Sequence, residues 1–314
     1  MTSPCPLCNE NSEIILTREL RRGSGEVYYC NNCDHGFLLP CTSFNEKEYY
    51  SENYRKEYSH KSDAAQTNAR ELFDTYKNYQ SDRLKIIEPY LYKSSSLLEV
   101  GASAGQFLSH IKNKISKIHA IELDKDCCNF IKSEHNIDVD SCFLRESKFA
   151  HEKYDIICAF QVMEHVKNPI DFLIDLKSVS KKRSSIFVEV PNIDDPLISV
   201  WDIKQYNKFY YHSAHLNYFS ENSLKKVALS AGFLEENIQF KFSQDYNLLN
   251  HLSWISNQAP QATCHIGLSE INLPGKNYEI ANWLSLELQK LNNAYISRLV
   301  SAKRTSNIMM VINI

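Results

Sequence analysis

The chain has 314 residues, 43% hydrophobic and 23% charged, with 35 Lys and Arg against 38 Asp and Glu, a net charge of −3. This is the composition of a globular chain long enough for one large domain with an appendage, and it carries no global basic field for nucleic acid. No apolar run approaches the ~20 residues that span a bilayer, and the start, MTSPCPLCNENSE, lacks the basic and apolar stretches of a secretory signal. Of the ten cysteines, four stand in CxxC pairs and several others in apolar or helical runs, which favours a reducing, cytoplasmic setting over a disulfide framework.

The first element is built on those pairs. Cys5-Pro6-Leu7-Cys8 and Cys30-Asn31-Asn32-Cys33 are separated by 21 residues, and residues 13–17 and 26–29 read as strands around a glycine turn. Two tight knuckles around a hairpin predict a zinc ribbon over residues 1–45, in which Cys5, Cys8, Cys30 and Cys33 close a structural tetrahedral site with no open position. Arg18, Arg21 and Arg22 are balanced by Glu10, Glu13, Glu19 and Glu26, so the ribbon is not a basic patch for RNA. Residues 46–95 follow as a Tyr-rich linker (Tyr49, Tyr50, Tyr54, Tyr58) and a helical cap. The linker reads equally as surface packing or as a lid over a pocket. The cap rests on the spacing of Leu72, Tyr76, Tyr79, Leu84 and Ile87.

A core over residues 96–246 comes next. Residues 97–100 (LLEV) form a short buried strand. Gly101-Ala102-Ser103-Ala104-Gly105 is a turn of small residues, and Gln106 opens a helical pattern. Such a strand–turn–helix presents backbone to a phosphate or nucleotide. Residues 117–124 form a second strand that ends in acid, with Glu122 falling 21 positions after Gly101, where a Rossmann-like fold places its ribose carboxylate. Residues 137–140, 154–160 and 185–192 read as three further strands, with a helix over 171–180. The alternation predicts an open parallel sheet with its ligand at the carboxyl ends of the strands. A helix over 223–230 and a strand over 238–242 close the core. A helical insertion over 247–304 includes a helix from 278 to 299, and it reads as a packing cap, a substrate lid or a dimer face. Residues 305–314 supply a final apolar strand.

Three chemistries compete for the turn. As G-x-S-x-G it matches a hydrolase nucleophile elbow, but that fold needs several strands before the elbow. A dinucleotide site prefers G-x-G-x-x-G, and Ser103 occupies the second glycine position. Acids at Glu99 and Glu122 fit a third option, S-adenosylmethionine.

At this point a resemblance becomes specific. Residues 99–105 (EVGASAG) resemble motif I of class I S-adenosylmethionine-dependent methyltransferases. Residues 154–157 (YDII) with 164–166 (EHV) resemble their fourth-strand block, and residues 189–192 (EVPN) the end of the fifth strand. Residues 215–220 (HLNYFS), and 244–246 (QDY) with 250–254 (NHLSW), are similar to segments of sugar and small-molecule methyltransferases. The ribbon is similar to the zinc-binding domain fused to deoxysugar C-methyltransferases. The resemblance implies a seven-stranded Rossmann-like α/β sheet with the last strand antiparallel. It implies a cofactor site of Glu99, Gly101, Ala102, Ser103, Gly105, Glu122, Leu123, Phe160 and Gln161, with Ser103 a small residue at the cofactor rather than a nucleophile. It implies methyl transfer to a small, sugar-like acceptor, with His215, His165 and Glu164 as catalytic candidates. The relatives carry Glu before the second histidine where this chain has Ala214, so O-, N- and C-methylation all stay open. Other readings are an RNA methyltransferase with a ribbon for recognition, and a binding protein that kept the fold without the chemistry. Partners expected are the small substrate and, through the insertion, a second copy of the chain, but neither membrane nor nucleic acid.

Overall fold

In a computed structural model the described residues are 2–21, 23–39, 49–50 and 68–314. Arg22, Cys41, Tyr54 and Tyr58 lie outside them. Thirteen strands are described. The N-terminal ones are β1 (Ser3–Pro4), β2 (Asn11–Ser12), β3 (Ile14–Glu19), β4 (Ser24–Cys30) and β5 (His35–Leu38). Those of the core are β6 (Ser96–Val100), β7 (Lys117–Ile121), β8 (Asp138–Asp140), β9 (Tyr154–Phe160), β10 (Ser180–Pro191), β11 (Asn217–Tyr218), β12 (Ile238–Ser243) and β13 (Asn307–Asn313).

Seven of them form one sheet in the order β12-β13-β10-β9-β6-β7-β8. β6 pairs in parallel with β7 and β9, and β9 with β10, while β13 runs antiparallel between β10 and β12. This is the expected class I methyltransferase sheet. Its central strands are largely apolar because successive side chains enter two different cores, with Glu99, Asp155 and Glu189 as exceptions. Leu98, Ile157, Ile186 and Val188 pack under the helices Pro169–Ser178 and Glu221–Ser230. Leu97, Ile156, Phe187 and Met309 pack on the opposite face, with Phe107, Leu108 and Ile87. The order of the chain reverses between β6 and β9, and the crevice at such a switch point is where open sheets take ligands.

Boundaries differ from the sequence reading for local reasons. The second core strand stops at Ile121, because Glu122 turns to accept two backbone amides and Asp124 caps the next helix, accepting from the amides of Asp126 and Cys127. The helix expected over 171–180 is Pro169–Ser178, with Asn168 as N-cap and Pro169 in the first turn. The fifth core strand begins five residues early, at Ser180, through an irregularity before Ser185.

The N-terminal ribbon is not a separate body. β3, β4 and β5 form a sheet whose fourth member is β11, from the core, with Asn217 opposite Phe37 and Tyr218 opposite Gly36. Gly36 is small where it must be, since a Cβ there would stand 3.0 Å from the Tyr218 Cβ. The insertion holds three helices, Leu248–Asn257, Cys264–Leu268 and Tyr278–Ser301. No helix among the described residues is long and apolar enough to cross a membrane.

Candidate active site

A cavity of about 1450 Å³ opens at the carboxyl ends of β6, β7, β9 and β10. Sites for one small molecule hold roughly 300–1000 Å³, so this one has room for two.

One half is local in sequence. After β6 the chain enters the left-handed region at Gly101 (φ +78°), Ser103 (φ +49°) and Gly105 (φ +77°). This curls the turn so that the Ser103 amide donates to Glu122 Oε2 at 2.6 Å, while the Asp124 amide donates to Oε1 at 2.9 Å. A Cβ on Gly101 would lie 2.3 Å from Val162 Cγ2, so both backbone sign and space demand glycine. Gly101, Ala102, Ser103, Glu122, Leu123, Phe160 and Gln161 line the cavity, with Glu99 at its floor. Gly105 is not on the wall; it is the N-cap of the helix Gln106–Ile111. The Ser103 hydroxyl accepts from Gln106 Nε2 at 3.5 Å, a contact that does nothing to activate a nucleophile. Glu99 is buried, and desolvation pushes its carboxyl up to about 8 against the opposing pull of Arg83, with Glu122 adding to the rise.

The other half is assembled from afar. Arg83, on the helix Ser81–Ile87, donates to Glu189 Oε1 through Nε (2.9 Å) and Nη2 (2.5 Å), and its guanidinium lies 4.7 Å over the Phe160 ring. Gln161, at φ +56°, donates to Glu189 at 3.2 Å and to Asn307 at 3.1 Å; Asn307 in turn donates to Asp245 at 2.7 Å. Burial, then the nearby Glu189, pushes the Asp245 carboxyl up to about 6. Tyr79, Tyr206, Phe209, Tyr246 and Trp254 supply aromatic wall, and residues 260–270 of the insertion line the cavity too.

His165, just past β9, reaches the cavity, and so does Tyr50 of the linker. Tyr50 packs edge-on against His165 at 5.3 Å and donates to Ala214 O at 3.2 Å. Glu164 and His215 stand behind His165 and do not line the cavity. Together the three form a cluster whose ligand-capable atoms all lie within 4.8 Å of one another. His165 Nδ1–H donates to Ala214 O at 2.9 Å, its Nε2 is 3.8 Å from Glu164 Oε1, and its ring lies 4.8 Å from that of His215. Burial lowers His165 to about 4 and His215 well below the usual imidazole range, the latter with help from His212 and His165. Both are neutral imidazoles near pH 7.

The four ribbon cysteines come together as well. Their sulfurs lie within 4.8 Å of one another, Cys8 and Cys30 at 3.7 Å, and none is in a disulfide. Zinc–thiolate bonds of about 2.3 Å give a tetrahedral edge of roughly 3.8 Å, so the donor set fits Zn²⁺. The ribbon's own core is small (Cys5, Tyr28, Cys30, Cys33 and Phe37), which is the circumstance in which a metal supplies folding energy.

Sequence reasoning missed Arg83, read only as part of a covering helix, and Asp245. The Arg83–Glu189 pair spans 106 positions and leaves no local signal.

The chain matches a family model described as "Methyltransferase domain" over residues 69–235. A ribosomal RNA small subunit methyltransferase A of Prochlorococcus marinus is 27% identical over 113 residues, covering 35% of this chain and 33% of that protein. The chain therefore matches only about a third of the length of such relatives. A phosphoethanolamine N-methyltransferase 2 of Haemonchus contortus, solved with S-adenosyl-L-methionine, shares the fold at TM-score 0.50 and 11% identity, covering 96% of this chain and 71% of its own. A SAM-dependent methyltransferase from Archaeoglobus fulgidus superposes at TM-score 0.48 with 17% identity over 76% of this chain and 94% of its own.

Proposed function

The chain belongs to the methyltransferase-domain family, and from that premise we propose that it moves a methyl group from S-adenosylmethionine to a small polyhydroxylated acceptor, a sugar or a nucleotide- or glycan-linked sugar. Methyl transfer is an in-line displacement at a sulfonium carbon. The cofactor supplies the leaving group, and the protein must align the acceptor, exclude water and accept a proton. Glu122 takes the ribose hydroxyls, Gly101 and Ala102 border the methionine and ribose portion, and Glu99 faces the amino-acid end. Ser103, Leu123, Phe160 and Gln161 complete that wall.

The observation that carries the acceptor class is the composition of the second half of the cavity. Aromatic faces (Tyr79, Tyr246, Trp254) stand beside hydroxyl acceptors (Glu189, Asp245), and the arginines that line the cavity among the described residues are engaged, Arg83 by Glu189, Arg145 by Asp175 and Arg21 over the Phe209 ring. A polyol fits such a wall and a phosphate backbone does not. His165 is the member of the Glu164–His165–His215 cluster that meets the acceptor, and as a neutral imidazole it can take the proton. Zn²⁺ in the ribbon is structural. The long helix Tyr278–Ser301 exposes Ile280, Trp283, Leu286 and Leu291, which supports self-association through this face; light scattering that gives a monomer at micromolar concentration removes that part.

Calorimetry with S-adenosylmethionine comes first, followed by transfer of labelled methyl to a panel of nucleotide sugars. Absence of cofactor binding sinks the enzyme reading and leaves a binding protein. A second reading is an RNA methyltransferase, favoured by the ribosomal RNA methyltransferase relatives. A salt-dependent RNA gel shift together with methyl transfer to RNA and not to sugars would establish it.

A further inference from the structure

Glu164 presents a physical problem. It is 1% exposed, and neither carboxylate oxygen has a hydrogen-bond donor among the described residues. A buried carboxylate without a donor or a cation is costly, and folded proteins avoid it. What surrounds it narrows the solution. Because a backbone carbonyl can only accept, the contact with Ala214 fixes the proton of His165 on Nδ1. The lone pair then lies on Nε2, and Nε2 is the atom 3.8 Å from Glu164 Oε1. A metal-bound histidine is typically oriented in this way, its second nitrogen donating to a carbonyl. His215 brings a second imidazole to within 4.8 Å of the same atoms. Glu189 adds negative charge near Glu164, partly offset by Arg83, and Arg21 acts on the His215 side.

We propose that Glu164, His165 and His215 bind one divalent first-row transition ion of the Zn²⁺ class. A carboxylate with two imidazoles is a donor set for Zn²⁺, Fe²⁺ or Co²⁺, and not for Mg²⁺ or Ca²⁺, which take oxygen. Bonds of about 2.0–2.1 Å require a ligand edge of roughly 3.4 Å, so the Glu164–His165 edge of 3.8 Å closes with a few tenths of an ångström, and the edges to His215, within 4.8 Å, close with a movement of up to about 1.4 Å. Unlike the four-thiolate cluster, three protein ligands leave the ion a position for substrate or water, and the cluster meets the cavity at His165. The role of the ion rests on the acceptor reading above and replaces His165 as the base in it, because a ligated Nε2 and an Nδ1–H held by Ala214 leave that ring no lone pair for the acceptor's proton. Glu164, His165 and His215 would hold the ion, which would supply Lewis acidity to an acceptor hydroxyl; the hydroxyl's proton would pass to cavity water, and its oxygen would take the methyl as the methyl–sulfur bond broke and its electron pair returned to sulfur. Binding of the ion does not depend on that reading.

The test is a metal count on full-length protein stripped with a chelator, reloaded with Zn²⁺ and desalted, by elemental analysis against protein concentration. Two equivalents are expected in the wild type and one in Glu164→Gln and in His215→Ala. Reloading with Co²⁺ should give a second set of absorption bands, without thiolate charge transfer, that both substitutions remove. One equivalent in the wild type, or two retained in both variants, overturns the site. Calorimetry with S-adenosylmethionine on the same samples keeps the two ideas apart. Cofactor binding by Glu164→Gln shows that the variant is folded, so a lost equivalent is then a lost ligand. A wild type with two equivalents and no cofactor binding fails the enzyme reading and leaves the metal site standing.

Discussion

The two halves of the cavity are held by different means. The cofactor half is one turn of chain, residues 99–105, locked by three positive φ angles and closed on Glu122 through backbone amides. The acceptor half has no such turn. Arg83, Gln161, Glu189, Asp245 and Asn307 come from five separate places and are tied to one another by charge and hydrogen bonds. A site made of one turn loses affinity when damaged and keeps its fold. A site made of a network loses stability.

The largest effect should fall on the network. Glu189 has a side chain 4% exposed and Arg83 one 22% exposed. Arg83→Met leaves that carboxylate without its cation. The cost should be about 3 kcal/mol, the low end for a broken buried pair because the guanidinium keeps some water. Denaturant unfolding measures it, and a loss under about 1 kcal/mol would erase the distinction between the halves. Next comes Glu122→Ala, which removes the carboxyl proposed above to accept from the ribose. At about 1.5–3 kcal/mol for such bonds, cofactor affinity should fall roughly 10–100-fold in calorimetry, and the unfolding midpoint should fall as well, because the Ser103 and Asp124 amides lose their acceptor. A smaller effect is expected from Gly101→Ala. A left-handed alanine costs about 1–2 kcal/mol, and its Cβ meets Val162. Cofactor affinity should drop about tenfold, and adding Val162→Ala should recover part of it; additive losses would mean the clash is not the cause.

The last effect is one of pH, read as a slope rather than as a single loss. The Glu99 carboxyl is raised to about 8 in the folded protein, so between pH 4.5 and 8 the folded state holds a proton that the unfolded state has released. Stability from this group therefore falls as pH rises through that window, by at most about 1.4 kcal/mol per unit. Buried histidines such as His251, lowered to about 4, act in the opposite sense only below pH 6.5. Above that the histidines drop out, and the carboxyls of Asp195, raised to about 7, and metal-free Glu164, raised to about 8, act in the same sense as Glu99, so Glu99→Gln removes a share of the slope. The surroundings of Glu99 are Arg83, Glu122 and Cys158. Glu99→Gln should flatten the decline between pH 6.5 and 8, and an unchanged slope would show that Glu99 is already ionised.

The same division explains what could be read from sequence. The turn, the acid 21 positions on and the buried strands are local patterns, and the fold follows from them. The four cysteines were legible for the same reason, since two CxxC spacings dictate the geometry. Arg83 was not, because nothing in a helix of ordinary amphipathic spacing says that one arginine crosses to β10. The two histidines were nominated, but sequence could not say that His165 faces the cavity while His215 stands behind it, since that depends on how residues 212–216 fold back on the end of β9.

The pairing of β5 with β11 bears on how the protein can be cut. The family match begins at residue 69, which suggests a minimal catalytic fragment starting there. Such a fragment would strip β11 of its partner, expose the main chain of Asn217 and Tyr218, and open the space that Gly36 and Phe37 fill. Lys226, on the helix after β11, would lose its contacts with Asn32 and the Cys33 sulfur. His215 lies two residues before that strand. The ribbon is thus a splint along the segment that carries His215, one of the three members of the Glu–His cluster, and a shortened chain would retain a cofactor pocket beside an unsupported acceptor wall.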